Sequence, residues 1–166
     1  MTGWERSFDD LLSARGPALS RYAYLLCGDA SNAADLVQEA LLRVFARLQT
    51  GDDIDQLEAY TRRAVLNLYL EGRRKQDKWE ARRHLLTSRS ETDLIEEQIP
   101  LRTRVLDAVA SLSPRQRACV ILRYYDDLTV PAIAAELGCS VGTVKRHLAD
   151  AKVRLADELG AIEEAL

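Results

Sequence analysis

Residues Thr129 to Leu155, TVPAIAAELGCSVGTVKRHLADAKVRL, read as two short helices around a glycine-containing turn, the second of them cationic. That order is the signature of a helix-turn-helix, whose second helix lies in a major groove. Thr129 offers a hydroxyl N-cap, and Pro131 falls in the first turn of the first helix, where a missing amide proton costs little because those donors have no intrahelical acceptor. Gly138 stops that helix, and Ser140 is a candidate N-cap for the next. From Ser140 onward, Val144, Leu148, Ala151, Leu155 and Leu159 recur at helical spacing, so one stripe faces a core.

A turn of about 100° per residue carries Gly142, Arg146, Ala149 and Val153 away from that core, with Lys145 and Asp150 on the flanks. Arg146 can donate bidentately to guanine. The small Gly142 and Ala149 allow close approach to base edges or a thymine methyl, and Lys145 and Lys152 suit phosphates. The alternative for the segment alone is a small helical bundle with a solvated cationic face, so the remaining sequence has to decide.

The chain has 166 residues, 47% hydrophobic and 30% charged, which suits one compact domain or two small ones and excludes disorder throughout. Its formal net charge is −3. An isolated, tight nucleic-acid binder usually carries a basic domain surface, so a DNA-reading helix on an acidic chain implies that another protein supplies most of the grip on DNA. Acidic patches then become surfaces for that protein.

Cys27, Cys119 and Cys139 show no CxxC or Cys/His spacing and sit in or beside apolar helical segments, so they read as small core hydrophobes and not as zinc ligands or a disulfide framework. The opening MTGWERSFDD lacks the basic-then-apolar order of a signal peptide, and no long uncharged apolar run follows. The expectation is a cytoplasmic protein without membrane insertion. His84 and His147 are isolated, and neither a nucleophile elbow nor a phosphate loop occurs, so the sequence indicates no enzyme, small-molecule substrate, metal or cofactor.

Helical periodicity runs through nearly the whole chain and strand alternation is almost lacking, so the predicted fold is all-α. Helices are expected near Trp4–Ser13, Pro17–Cys27, Ser31–Leu48, Gln56–Arg83, Leu101–Ser111, Pro114–Tyr125, Thr129–Leu137 and Ser140–Leu159. Residues 84–100, HLLTSRSETDLIEEQIP, lose periodicity, gather hydroxyls and acids, and end in proline. They form the predicted linker between two small helical domains, at residues 1–83 and 101–166.

On the Ser31–Leu48 helix, Val37, Leu41, Val44 and Leu48 make an apolar stripe, while Leu42 projects on the other side among Asp35, Gln38, Glu39 and Ala46. An exposed leucine framed by acids is a candidate partner surface, although single exposed leucines are ordinary. On the next helix, Leu57, Thr61, Ala64 and Leu68 are expected to face inward, with Arg63, Asn67, Leu70 and Arg74 along another side. Arg62, Arg73, Lys75, Lys78, Arg82 and Arg83 extend the basic field, and an asparagine among arginines can read a base edge while its neighbours hold phosphates. The alternative is a solvated helix laced with ion pairs through Glu58, Glu71 and Glu80. The preceding polar loop, QTGDDIDQ from Gln49 to Gln56, could line a pocket for an unstacked base.

DLVQEALLRVFARL, then LEAYTRRAVLNLYLEGRRK, then a linker, then LSPRQRACVILRYYDDLTVPAIAAELGCSVGTVKRHLADAKVRL form an ordered set that resembles the extracytoplasmic-function (ECF) bacterial RNA polymerase sigma factors. YAYLLCGD near the start resembles the short actinobacterial type, and the resemblance spans about Phe8 to Leu159. It implies two helical domains, sigma-two and sigma-four, that bind core RNA polymerase and direct it to promoter DNA, and it accounts for the acidic balance. By resemblance, Asp35, Gln38, Glu39 and Leu42 dock on the clamp helices of the largest polymerase subunit. Asn67 and Arg74 match the family's N-x-x-x-D-x-x-R pattern, with Glu71 in place of aspartate.

The resemblance further implies that the Gln49–Gln56 loop captures a nontemplate base flipped from the minus-ten element, that Asn67 supports it, and that Arg62, Arg63, Arg73, Arg74 and Lys75 hold backbone. Flipping costs a few kcal/mol of lost stacking, so it draws on both a pocket and polymerase binding. Ser140, Gly142, Thr143, Lys145, Arg146, Ala149 and Lys152 would meet the minus-thirty-five duplex. Two positions depart from the pattern: Ala132 stands where glutamate is usual, and Asp150 where a basic residue is common. Many relatives are held by an anti-sigma factor, a partner the resemblance also suggests. The linker acids Glu91, Asp93, Glu96 and Glu97 would lie along the polymerase channel. A stand-alone helix-turn-helix regulator, or a sigma-like adaptor that reads no promoter, remain the alternatives.

Overall fold

A computed structural model describes residues 2–52, 54–83 and 101–163. The linker reading at 84–100, with its four acids, lies outside the described residues. Among the described residues the secondary structure is seven helices: α1 (Gly3–Cys27), α2 (Ala30–Gln49), α3 (Leu57–Arg83), α4 (Leu101–Ser111), α5 (Pro114–Tyr124), α6 (Val130–Leu137) and α7 (Val141–Glu163). The all-α expectation holds, and most boundaries fall within a residue or two of those read from periodicity.

One boundary does not. Two helices were expected before Cys27, and the chain forms one, α1, with Pro17 inside it. Proline removes one intrahelical donor and disfavours helix in the residue before it, which is why the sequence suggested a break. Tertiary packing overrides that local penalty, because Leu11, Leu19, Tyr22, Ala23 and Leu26 all bury along one face that continues past the proline. Fully burying a leucine contributes about 1.5–3 kcal/mol, so Leu19 and Leu26 together offset roughly the 3 kcal/mol of an interior proline.

Local signals set the other ends. Gly28 closes α1 in the left-handed region (φ 71°), its amide donating to the Tyr24 carbonyl at 2.8 Å. Asp29 then accepts from the Asn32 amide at 2.7 Å and starts α2. Ser113 and Gln116 form a reciprocal capping box at α5, with Pro114 as the first helical residue. Thr129 caps α6, and Gly138 ends it with φ 61°.

Helices α1, α2 and α3 pack on one another, as do α4 to α7; α1 also meets α4 and α5, and α3 meets α5. Apolar side chains form a continuous cluster running from Leu19, Leu26 and Val65 to Ile121, Ile133 and Val144. Cys119 is fully buried within it, and burial pushes its thiol up to about 11, so it stays protonated as a small hydrophobe. Cys27 and Cys139 pack half-buried against the same cluster.

Arg117 ties the two groups of helices together. It is 7% exposed, and its guanidinium donates to the carbonyls of Leu112, Ala110 and, 91 residues away in sequence, Leu26. Burial lowers its pKa, yet the ordinary value is so high that it remains charged. Carbonyl oxygens at the ends of α1 and α4 carry the partial negative charge of helix C-termini, which suits a buried cation with no carboxylate partner.

Candidate nucleic-acid interface

The sequence places α7 correctly. Val144 and Ala151 are fully buried, Leu148, Leu155 and Leu159 are half-buried, and Gly142, Lys145, Arg146, Ala149 and Lys152 are exposed. The core stripe and the cationic face therefore lie on opposite sides of one helix, held at its start by Ser140. That hydroxyl accepts from the Thr143 amide at 3.1 Å and lies 2.9 Å from the Thr143 hydroxyl, so both side chains serve the cap. Asp150 is exposed on the flank of this face. His147 is half-buried, and burial, then Arg146, then Arg115 hold its pKa below the ordinary value, so it adds no charge to the face at neutral pH.

On α3 the expected inward stripe is only part of what is buried. Thr61 is fully buried, its hydroxyl donating to the Leu57 carbonyl at 2.7 Å, while Leu57, Ala64 and Leu68 are partly buried. Val65, Leu66, Tyr69 and Leu70 are also buried, so Leu70 does not share the open face expected for it. The reason is that α1, α2 and α5 all pack on α3, burying more than one stripe.

The cations of α3 divide accordingly. Asn67, Arg74 and Lys75 are exposed, and Arg73 is half-buried with a bond to Gln76 at 3.2 Å. Arg62 and Arg63 turn toward the α5–α6 region. Arg62 meets Asp126 at 2.5 Å and Glu58 at 3.1 Å, and Arg63 meets Glu136 at 3.4 Å. A cleft of about 540 Å³ opens beside them, lined from both groups of helices by Arg15, Tyr22, Gln56, Asp126 and Glu136 among others.

The loop ahead of α3 is braced by Arg47, which sequence reasoning passed over. Its guanidinium donates to Asp52 at 2.7 Å and to the Tyr60 hydroxyl at 2.6 Å, and lies 5.6 Å from the Tyr60 ring centroid. A basic residue within reach of both a loop acid and an aromatic is the signal that could have found it.

On α2, Asp35, Gln38, Glu39 and Leu42 are all exposed, Leu42 to 59%. Glu39 pairs with Arg43 at 3.0 Å, one helical turn away. Leu42 and Gln38 border an apolar groove of about 500 Å³, whose other walls include Phe8, Leu12, Leu41 and Phe45. Phe8 and Phe45 meet edge-on at 5.4 Å, as do Trp4 and Phe45. The first helix thus completes the surface that the sequence located only on α2.

Residues 11–78 match the family described as Sigma-70 region 2, and residues 102–155 match Sigma-70, region 4. The RNA polymerase sigma-E factor of Streptomyces coelicolor is 36% identical over 154 residues, covering 93% of this chain and 86% of the relative. This chain belongs to the ECF RNA polymerase sigma factors. The ECF sigma factor SigL of Mycobacterium tuberculosis is 33% identical over 147 residues, with 83% of this chain and 80% of SigL covered. Among solved structures, the sigma factor RpoE in complex with the anti-sigma factor NepR from Bartonella quintana gives a TM-score of 0.69 at 25% identity, covering 93% of this chain and 98% of that one.

As an ECF sigma factor the chain works in promoter-directed initiation of transcription by RNA polymerase. The region 2 match takes in Asp35, Gln38, Glu39 and Leu42 and most of the α3 cations, and the region 4 match takes in the exposed α7 residues from Gly142 to Lys152. No helix among the described residues is long and apolar enough to cross a membrane.

Proposed function

We propose that three surfaces of this sigma factor divide the work of initiation. Asp35, Gln38, Glu39 and Leu42, with the apolar groove beside them, dock on core RNA polymerase. Arg62, Arg63, Asn67, Arg73, Arg74 and Lys75 on α3 engage the minus-ten element, and the loop before α3 receives an unstacked base. Ser140, Gly142, Thr143, Lys145, Arg146, Ala149 and Lys152 meet the minus-thirty-five duplex. Residues 1–83 act as sigma-two and 101–166 as sigma-four, in the cytoplasm, without a catalytic step of their own.

The observation that carries this reading is the pairing of an exposed, cationic, small-residue face on α7 with a separate apolar surface around Leu42. A stand-alone regulator needs only the first. With a net charge of −3 the chain lacks the electrostatic attraction for tight binding to DNA alone, whereas polymerase can supply it. Leu42 is an anchor for an apolar pocket on the partner, and anchors of that kind cost 2 kcal/mol or more when lost, about 30-fold in affinity.

Titration of fluorescent core RNA polymerase with the purified chain tests the docking surface. Saturable binding that Leu42→Glu weakens at least about 30-fold is expected. Binding that is absent, or indifferent to Leu42→Glu, overturns the assignment.

A further inference from the structure

Among the described residues, the Tyr69 hydroxyl, Arg73 Nε and Arg117 Nε are shut off from solvent and meet no hydrogen-bonding partner in the protein. All three residues line one cleft of about 390 Å³, whose other walls include Cys27 at the end of α1, Leu36 on α2 and Leu68 on α3. Tyr69 and Arg73 lie one turn apart on α3, and Arg117 comes from α5. Tyr69 is 4% exposed and Arg117 7%, so bulk water does not serve them. Buried polar groups of folded proteins are almost always partnered, and three orphans along one cleft point to acceptors brought by a ligand.

The chemistry of the orphans sets the class of that ligand. A guanidinium Nε–H donates and cannot accept, and a tyrosine hydroxyl donates as readily. The remaining donors are engaged, Arg117 on the Leu26, Ala110 and Leu112 carbonyls and Arg73 on Gln76 at 3.2 Å. Burial lowers the Arg117 pKa, Tyr69 opposes this, and Arg73 lowers it further, so two cations repel each other here. Among the described residues no carboxylate forms an ion pair with either. Burial raises the Cys27 pKa and keeps it a neutral thiol, donating to the Asp29 carbonyl at 3.2 Å. Asp35 and Glu39 border the cleft, but both are exposed, and Glu39 pairs with Arg43. The fitting partner is an oxyanion, and a tetrahedral phosphate offers oxygens in three directions at once where a planar carboxylate offers one fork. The cleft is many times the roughly 30 Å³ of a water molecule and lies within the roughly 300–1,000 Å³ of small-molecule sites. We propose that Tyr69, Arg73 and Arg117 form a binding site for a small phosphate monoester, with the phosphate on the three donors and an apolar body along Leu36 and Leu68. Where Arg73 also holds DNA backbone, as proposed above, the two ligands compete for it; the site itself does not depend on that role.

The test titrates the full chain, labelled with nitrogen-15, with phenyl phosphate and follows the Arg73 and Arg117 Nε–H cross-peaks by two-dimensional NMR. Parallel titrations use inorganic phosphate, acetate and an oligothymidylate, all at one ionic strength. Both cross-peaks are expected to move saturably with phenyl phosphate, and Tyr69→Phe, which keeps the ring and loses the hydroxyl, to bind at least about tenfold more weakly. No movement, or unsaturated movement equal in wild type and Tyr69→Phe, overturns the site and leaves water as the partner of the three donors. Acetate as effective as phenyl phosphate overturns the phosphate assignment, and inorganic phosphate binding more tightly overturns the apolar body. Oligothymidylate moving both cross-peaks equally well at the same phosphate concentration overturns the small-molecule reading. If Tyr69→Phe loses helix by circular dichroism, Arg73→Gln carries the test through the Arg117 cross-peak: its response to phenyl phosphate weakens at least about tenfold, and an unchanged response overturns the site.

Discussion

The Arg62 guanidinium donates to the Asp126 carboxylate across 2.5 Å, from the first half of α3 to the turn before α6. Burial, the largest influence, raises the Asp126 pKa, and Arg62 opposes it. A carboxyl with a folded pKa above its unfolded value near 3.9 binds its proton more tightly when folded, so its contribution to stability grows as pH falls from neutrality toward that value. Urea unfolding should therefore show wild type gaining on Asp126→Asn as the pH falls from 7 toward 4. At pH 7 the asparagine, which keeps an acceptor for Arg62 without a buried charge, should lie within about 1 kcal/mol of wild type, while Asp126→Leu should cost about 1–3 kcal/mol.

His147 gives the opposite sign. Burial, with Arg146 and Arg115, depresses its folded pKa, so the unfolded chain binds the proton more tightly and stability is lost as pH falls below about 6.5. His147→Asn should flatten the stability profile between pH 7 and pH 5.5, measured by thermal unfolding. An unchanged slope would mean that other groups set it.

Arg117 donates to three carbonyls from a site that is almost closed to water. Arg117→Met should cost about 3 kcal/mol or more in urea unfolding, because it strands several acceptors at once. Arg117→Lys should recover little, since a point ammonium cannot reproduce a planar fork reaching three directions.

These residues also mark the limit of what the sequence discloses. Periodicity located α7 and both of its faces, because the signal is local and one side of that helix stays open to solvent. The same approach misassigned Leu70 and split α1 at Pro17, because burial there is decided by helices distant in the chain. Arg117 was invisible for that reason: its Leu26 partner is 91 residues away, and only its place in the apolar register of α5, one turn before Ile121, hinted that it faces inward. Arg62 and Arg63 were legible as cations, but their acidic partners Asp126 and Glu136 were not, since no spacing rule links them. Leu42 and Asn67 were legible as candidates from their neighbours, and the family resemblance added the particular roles proposed for them.

On α7, Arg146 and Lys145 should separate by the kind of contact each makes. Arg146→Ala should lose about 1–3 kcal/mol at its preferred duplex and relax sequence preference, if it reads a base edge. Lys145→Ala should weaken binding evenly across sequences and reduce the salt dependence of holoenzyme binding by about one ion's worth. Fluorescence anisotropy of labelled promoter duplexes with reconstituted holoenzyme, across a salt series, measures both.

The most direct measurement is reconstituted transcription with core RNA polymerase from a related bacterium, on the promoter upstream of this protein's own gene, with wild type, Leu42→Glu and Arg146→Ala. The account predicts a defined start site that requires the chain, disappears with Leu42→Glu at unchanged helicity and thermal stability, and weakens with Arg146→Ala. Initiation that survives Leu42→Glu at full strength, or tight duplex binding by the chain without polymerase and without any transcript, would contradict it.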